Sequence, residues 1–77
     1  MNLMAGRRRG VIQQVTPFKF HGENHLQIVF RFDDDEEGSA RQVRLVPSEA
    51  YDGIAPGDRV HVHSVMNMVT RLEKAED

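Results

Sequence analysis

Along residues 25–33 the chain alternates, with Leu26, Ile28, Phe30 and Phe32 apolar and their neighbours mostly polar. Alternation of period two sends one set of side chains to one face of a strand, so this tract predicts a half-buried β-strand. Upstream, residues 11–16 are rich in β-branched side chains. Val11, Gln13 and Val15 share one face and Ile12, Gln14 and Thr16 the other, which predicts the first strand. Pro17 has no N–H to give a ladder, so it marks an edge, a bulge or the strand's end, and Phe18, Lys19 and Phe20 resume pairing after it. A turn follows over residues 21–24. Residues 33–38 are five carboxylates closed by Gly38, and residues 40–46 alternate again through Val43 and Leu45. Two alternating runs around a polar, glycine-bearing connection predict a β-hairpin.

After Val46 the pattern changes. Ser48 can cap a helix start, Glu49 suits its first turn and Gly53 can end it, so one or two helical turns are expected over residues 47–54. Ala55, Pro56, Gly57 and Asp58 form a tight turn, with proline where φ is fixed and glycine where φ turns positive. The last tract places Val60, Val62, Ser64, Met66, Met68, Thr70 and Leu72 on one parity. His61, His63, Val65, Asn67, Val69, Arg71 and Glu73 fall on the other. Its length predicts a turn near Asn67 and two strands. The expected core is Val11 or Ile12, Val15, Leu26, Ile28, Phe30, Phe32, Val43, Leu45, Tyr51, Ile54, Val60, Val62, Met66 and Leu72.

These elements predict an all-β domain over residues 10–73, with five strands, or six, and one short helical turn between the third and fourth. That is the element order of a five-stranded oligonucleotide/oligosaccharide-binding (OB) barrel, whose closure removes exposed sheet edges. Residues 1–9 are expected to be a flexible basic arm, because Gly6 precedes three arginines with no hydrophobic period, and residues 74–77 to fray. Three stretches carry a resemblance: Gly10-Val11-Ile12-x-x-Val15, Val46-Pro47-x-x-x-Tyr51 and Pro56-Gly57-Asp58-x-Val60-x-Val62. Together they resemble the punctuation of small OB-like and SH3-like β-barrel domains, many of them bacterial domains of unknown function. The resemblance implies a shape and little chemistry.

Composition narrows the chemistry. The 77 residues are 39% hydrophobic and 29% charged, with net charge −2 and no cysteine, so disulfides, thiolate nucleophiles and Cys-type metal sites are excluded. No apolar run is long enough for a spanning helix or a signal-peptide core, and a cytoplasmic protein is expected. The charge is asymmetric. Residues 1–32 carry five basic side chains against Glu23 alone, and residues 33–77 carry five against eleven acidic ones.

Candidate sites follow from residue type. His61 and His63 lie on one strand face at a spacing that metal-binding barrels use, but zinc wants three or four convergent ligands, and a solvated face is the plainer reading. No metal and no cofactor are expected. The carboxylate run lacks the alternating spacing of a calcium loop and reads as a solvated hairpin tip. Arg7, Arg8, Arg9, Arg31 and Arg44, with Gln27 and the two histidines, would line a nucleic-acid groove on an OB-like sheet. The acidic balance and scarce aromatics weigh against that, with Phe18, Phe20 and Tyr51 as the remaining stacking candidates. No nucleophile elbow or phosphate loop supports an enzyme. Val29, Val46, Val65 and Val69 fall on solvent parities and would form an exposed apolar patch if they cluster. The sequence therefore ranks a non-enzymatic module first, binding a protein partner or a second copy of itself. A single-stranded nucleic-acid binder comes second.

Overall fold

A computed structural model describes residues 5–76. Five strands form one antiparallel sheet: β1 (Ala5–Phe20), β2 (Glu23–Phe32), β3 (Arg41–Leu45), β4 (Arg59–Val65) and β5 (Met68–Lys74). Their spatial order is β3-β2-β1-β4-β5, so β1 is the central strand. Among the described residues the only helical element is a 3-10 turn, Pro47–Glu49, between β3 and β4. The edges β3 and β5 come into contact, but among the described residues no ladder closes the sheet.

The length of β1 explains the arrangement. Its first part pairs with β4 from Ala5↔Val65 to Val11↔Arg59, and its later part pairs with β2 from Gly10↔Phe32 to Phe20↔Glu23. Strand pairing from Ala5 replaces the expected flexible arm over residues 5–9; residues 1–4 of that arm lie outside the described residues. Gly10, where both ladders meet, is buried, and a Cβ there would stand 2.7 Å from the Arg31 carbonyl oxygen. Only glycine admits that approach. The ladder then slips: Ile12 opposes Phe30 but Gln14 opposes Val29, leaving Gln13 as a bulge. The extra residue lets Ile12 and Val15, three apart, both face the core.

The core comprises Ile12, Ile28, Phe30, Phe32, Leu45, Val60, Val62 and Leu72, with Val15, Leu26, Val43, Tyr51, Ile54 and Val69 partly buried against it. Phe30 and Phe32 meet edge to face at 5.2 Å. Met66 is not in this core, being 69% exposed. It and Asn67 form the β4–β5 turn at φ 53° and 65°, the left-handed pair that matches the twist of a two-residue hairpin. The turn reverses side-chain parity, so Val69, opposite Ser64, faces the core, and a bulge between His63 and Ser64 restores Leu72 opposite Val62.

The expected helix over residues 47–54 contracts to the single 3-10 turn. Ser48 does not cap it; the Glu49 carboxylate instead accepts the Val46 N–H at 3.0 Å. The turn before β4 forms as expected, with Gly57 at φ 92° and the Asp58 N–H donating to the Ala55 carbonyl. Its backbone docks on the bulge: Ile12 N–H donates to Asp58 O at 2.9 Å and Gly57 N–H to Ile12 O at 2.8 Å. The C-terminal end is ordered further than expected. Lys74 pairs with Val60, and Ala75 is buried with its N–H on Arg59 O; Asp77 lies outside the described residues.

Candidate functional site

Register fixes which side chains share the face turned away from the core. Arg7 opposes His63, Arg9 opposes His61 and Val11 opposes Arg59; across β4, His63 opposes Arg71 and His61 opposes Glu73. Beyond the bulge, Gln14, Thr16, Phe18 and Phe20 oppose Val29, Gln27, His25 and Glu23. On β3, Arg44 opposes Gln27 and Gln42 opposes Val29. The outward side of β1 thus runs from arginines, through amide and hydroxyl groups, to two phenylalanines.

The arginine triplet is split by strand alternation. Arg8 points to the core side, where its guanidinium carbon lies 3.6 Å from the Phe32 ring centroid and its Nη2 donates to Asp34 Oδ1 at 2.6 Å. That hydrogen bond holds the Asp34 carboxyl below the usual carboxylate range. Arg8 therefore caps the core, and only Arg7 and Arg9 face outward. Arg59 stands 3.8 Å from Asp33. Arg31 lies on the outward face opposite Val11, with its aliphatic stem beside Gly38 of the acidic loop.

At the other end of β1 the two-residue turn of His21 (φ 52°) and Gly22 (φ 80°) joins β1 to β2 and gathers four rings. Phe18 stacks on His25 at 5.4 Å and 20°, while Phe20 meets His25 edge-on at 6.1 Å and His21 at 4.2 Å. Phe20 remains 52% exposed. The Arg44 guanidinium sits 5.9 Å from the Phe18 centroid, within cation–π range. Two clefts flank the Phe18–His25 pair: one of about 380 Å³ beside Pro17, Leu26 and Pro47, and one of about 330 Å³ beside Phe20, Arg44 and Glu49. His25 Nε2 is buried without a hydrogen-bond partner, the Glu23 carboxylate being 3.9 Å away. Sequence reasoning keeps Phe18 and Phe20 as stacking candidates without placing them on a face. The signal it underuses is their shared parity with the polar Thr16, opposite His25 and Glu23.

The remaining candidates separate. His63 engages the Glu73 carboxylate at 3.2 Å, which holds Glu73 below its ordinary value. No group of three or more potential metal ligands occurs among the described residues. The four valines do not form one patch. Val29 lies at the centre of the outward face opposite Gln14, Val46 borders the Arg44 cleft, Val65 sits at the β4–β5 tip opposite Ala5, and Val69 packs against the core. A different apolar group is exposed instead: Val65, Met66 and Met68, all on the β4–β5 hairpin tip. Among the described residues no helix is long and apolar enough to cross a membrane. Comparison with protein-family models, curated proteins and solved structures returns no match.

Proposed function

We propose that the protein is a non-enzymatic cytoplasmic binding module on an OB-like barrel, and that its outward face takes single-stranded nucleic acid. The barrel reading is supported by the strand order, by one long strand serving both halves, and by the contact between β3 and β5. The observation that carries the ligand reading is the outward side of β1, where Arg7 and Arg9 lie at one end and Phe18 and Phe20 at the other. Single-strand binders combine cations that follow the phosphates with rings on which bases stack, and a single-stranded ligand of about 4 nucleotides or more spans such a stripe. The five consecutive carboxylates at residues 33–37 follow β2 and begin beside the arginine end of this side, the Asp33 N–H donating to Arg9 O at 2.9 Å, so they lower the positive charge there and the reading rests on the rings as well as the arginines.

The test is a titration of fluorescent single-stranded DNA and RNA oligomers at low and at physiological salt. The reading expects micromolar binding at low salt that weakens as salt rises and is lost when Arg7 and Arg9 become alanine. Absence of binding at low salt removes it.

A protein partner or self-association is the second reading, favoured by the exposed Val65, Met66 and Met68. It expects sedimentation that changes with concentration, or capture of a partner, with both abolished by Met66→Ser and Met68→Ser.

A further inference from the structure

We infer that the cleft beside the 3-10 turn is a single-base pocket selective for guanine. This rests on the nucleic-acid reading above and names its ligand. The cleft is about 330 Å³ and is lined by Phe18, Phe20, His25, Arg44, Val46 and Glu49 among others. That volume lies at the lower end of small-ligand clefts, roughly 300–1,000 Å³.

Each lining group has a chemical consequence. Phe18 and Phe20 offer ring surface for stacking, and Arg44, 5.9 Å from the Phe18 centroid, puts a cation where a phosphate adjoining the stacked base needs one. Glu49 is half-buried, and its Oε1 is held by the Val46 N–H at 3.0 Å, so the carboxylate is a fixed acceptor in the cleft wall. Guanine carries a ring N–H and an amino group side by side on its pairing edge, two donors for one carboxylate. Uracil and thymine present one ring N–H flanked by two carbonyl oxygens, which a carboxylate repels, while adenine and cytosine offer one amino group beside a bare acceptor nitrogen.

His25 supplies the independent observation. Its Nε2 is the one buried side-chain polar atom without a hydrogen-bond partner among the described residues, and the same residue lines both this cleft and the neighbouring one beside Pro47. A buried polar atom left unpaired costs the fold stability, and because Nε2 is closed to solvent a ligand meets it when its binding turns the imidazole toward the cleft. Guanine's O6 and N7 are acceptors for an imidazole N–H.

The experiment compares oligo-dT with the same oligomer carrying one central dG, dA or dC, on the wild-type protein and on Glu49→Gln. The dG oligomer is expected to bind about fivefold or more tighter than oligo-dT. Glu49→Gln should abolish that preference, with oligo-dT binding unchanged or tighter because the charge that repels thymine is gone, and a wild-type urea midpoint reports that the variant is folded. With the wild-type protein alone, titration of guanosine monophosphate should shift the ring resonances of His25 and Phe18, and uridine monophosphate should not. Equal binding of all four oligomers, or a preference that survives Glu49→Gln, overturns the pocket and leaves the nucleic-acid reading standing. Failure of every oligomer to bind overturns both.

Discussion

The Tyr51 hydroxyl donates to Asp58 Oδ2 at 2.6 Å, and the same carboxylate oxygen accepts the Ala55 N–H at 3.1 Å. One carboxylate thereby ties the segment after the 3-10 turn to the start of β4, beside the Ile12 bonds that anchor the turn over residues 55–58 on the bulge. The Tyr51 hydrogen bond is the largest influence holding Asp58 below its ordinary value. Burial first, then the bond to Asp58 and its charge, push Tyr51 well above the ordinary phenol value.

Tyr51→Phe should lower stability near neutral pH by about 1 kcal/mol, the net worth of such a bond. The sign of the pH dependence follows from linkage. Asp58 is depressed in the folded state, so its contribution is present above the unfolded carboxylate value, near pH 4, and is lost as pH falls through the lower folded value. Tyr51 is raised, so its contribution is complete below the unfolded phenol value, near pH 10, and is lost as pH rises through the folded value. Urea denaturation from pH 7 down to 3 should show the gap between wild type and Tyr51→Phe closing below about pH 4.

Phe30→Asp should abolish cooperative unfolding. Phe30 is 1% exposed at the centre of the core, and burying an unpaired carboxylate there costs several kcal/mol against a total stability of about 5 kcal/mol. Gln42→Asp, exposed on β3, should leave the urea midpoint almost unmoved. A folded Phe30→Asp protein with a wild-type midpoint contradicts the assignment of faces.

Gly10→Ala tests the place where both ladders of β1 meet. Its added methyl would lie 2.7 Å from the Arg31 carbonyl oxygen, a backbone atom that moves only with β2. A loss of about 1–3 kcal/mol in chemical denaturation is expected.

The arginine triplet should divide into two phenotypes. Arg8→Ala removes the guanidinium from the Phe32 ring and from Asp34, and should lower the melting temperature without changing oligomer affinity. Arg7→Ala should instead reduce the slope of log affinity against log salt by about 0.7, the share of one neutralised phosphate on a single strand. Equal effects of the two substitutions on affinity contradict the split that strand alternation imposes.

Met66 occupies a left-handed conformation at φ 53° that favours asparagine or glycine. Replacing Met66 and Asn67 by Asn-Gly, the favoured pair for this turn, should stabilise the hairpin by roughly 0.5–1 kcal/mol. In a domain this small that raises the melting temperature by about 2–8 °C in a thermal scan.

Much of this fold is legible in the chain because β2 and β4 alternate over a single buried face. Ile28, Phe30 and Phe32 on one strand, and Val60 and Val62 on the other, go where their parity sends them. The reading fails where parity breaks without a glycine to announce it. Met66 lies in a turn signalled only by Asn67, so every assignment beyond it shifts until the bulge brings Leu72 back into register. Residues 5–9 pair as a strand although three arginines give no hydrophobic period, because their partner β4 supplies the order. The aromatic end of β1 is obscured for a related reason: Pro17 reads as an interruption, yet it pairs opposite Leu26 within a continuous ladder. Which valines meet in space depends on turn and bulge positions, and these are not written in the residues themselves.

The sharing of β1 between two partners also orders the events by which the chain acquires its structure. The β1–β2 and β4–β5 hairpins close locally, whereas Arg7 finds its opposite only in His63, after β2, β3 and the 3-10 turn have been made. Such a distant pairing is entropically slow, so docking of the second hairpin onto the free half of β1 is the expected rate-limiting step. During synthesis the arginine-bearing half of β1, made well before β4, is therefore among the last parts of this sheet to find its partner.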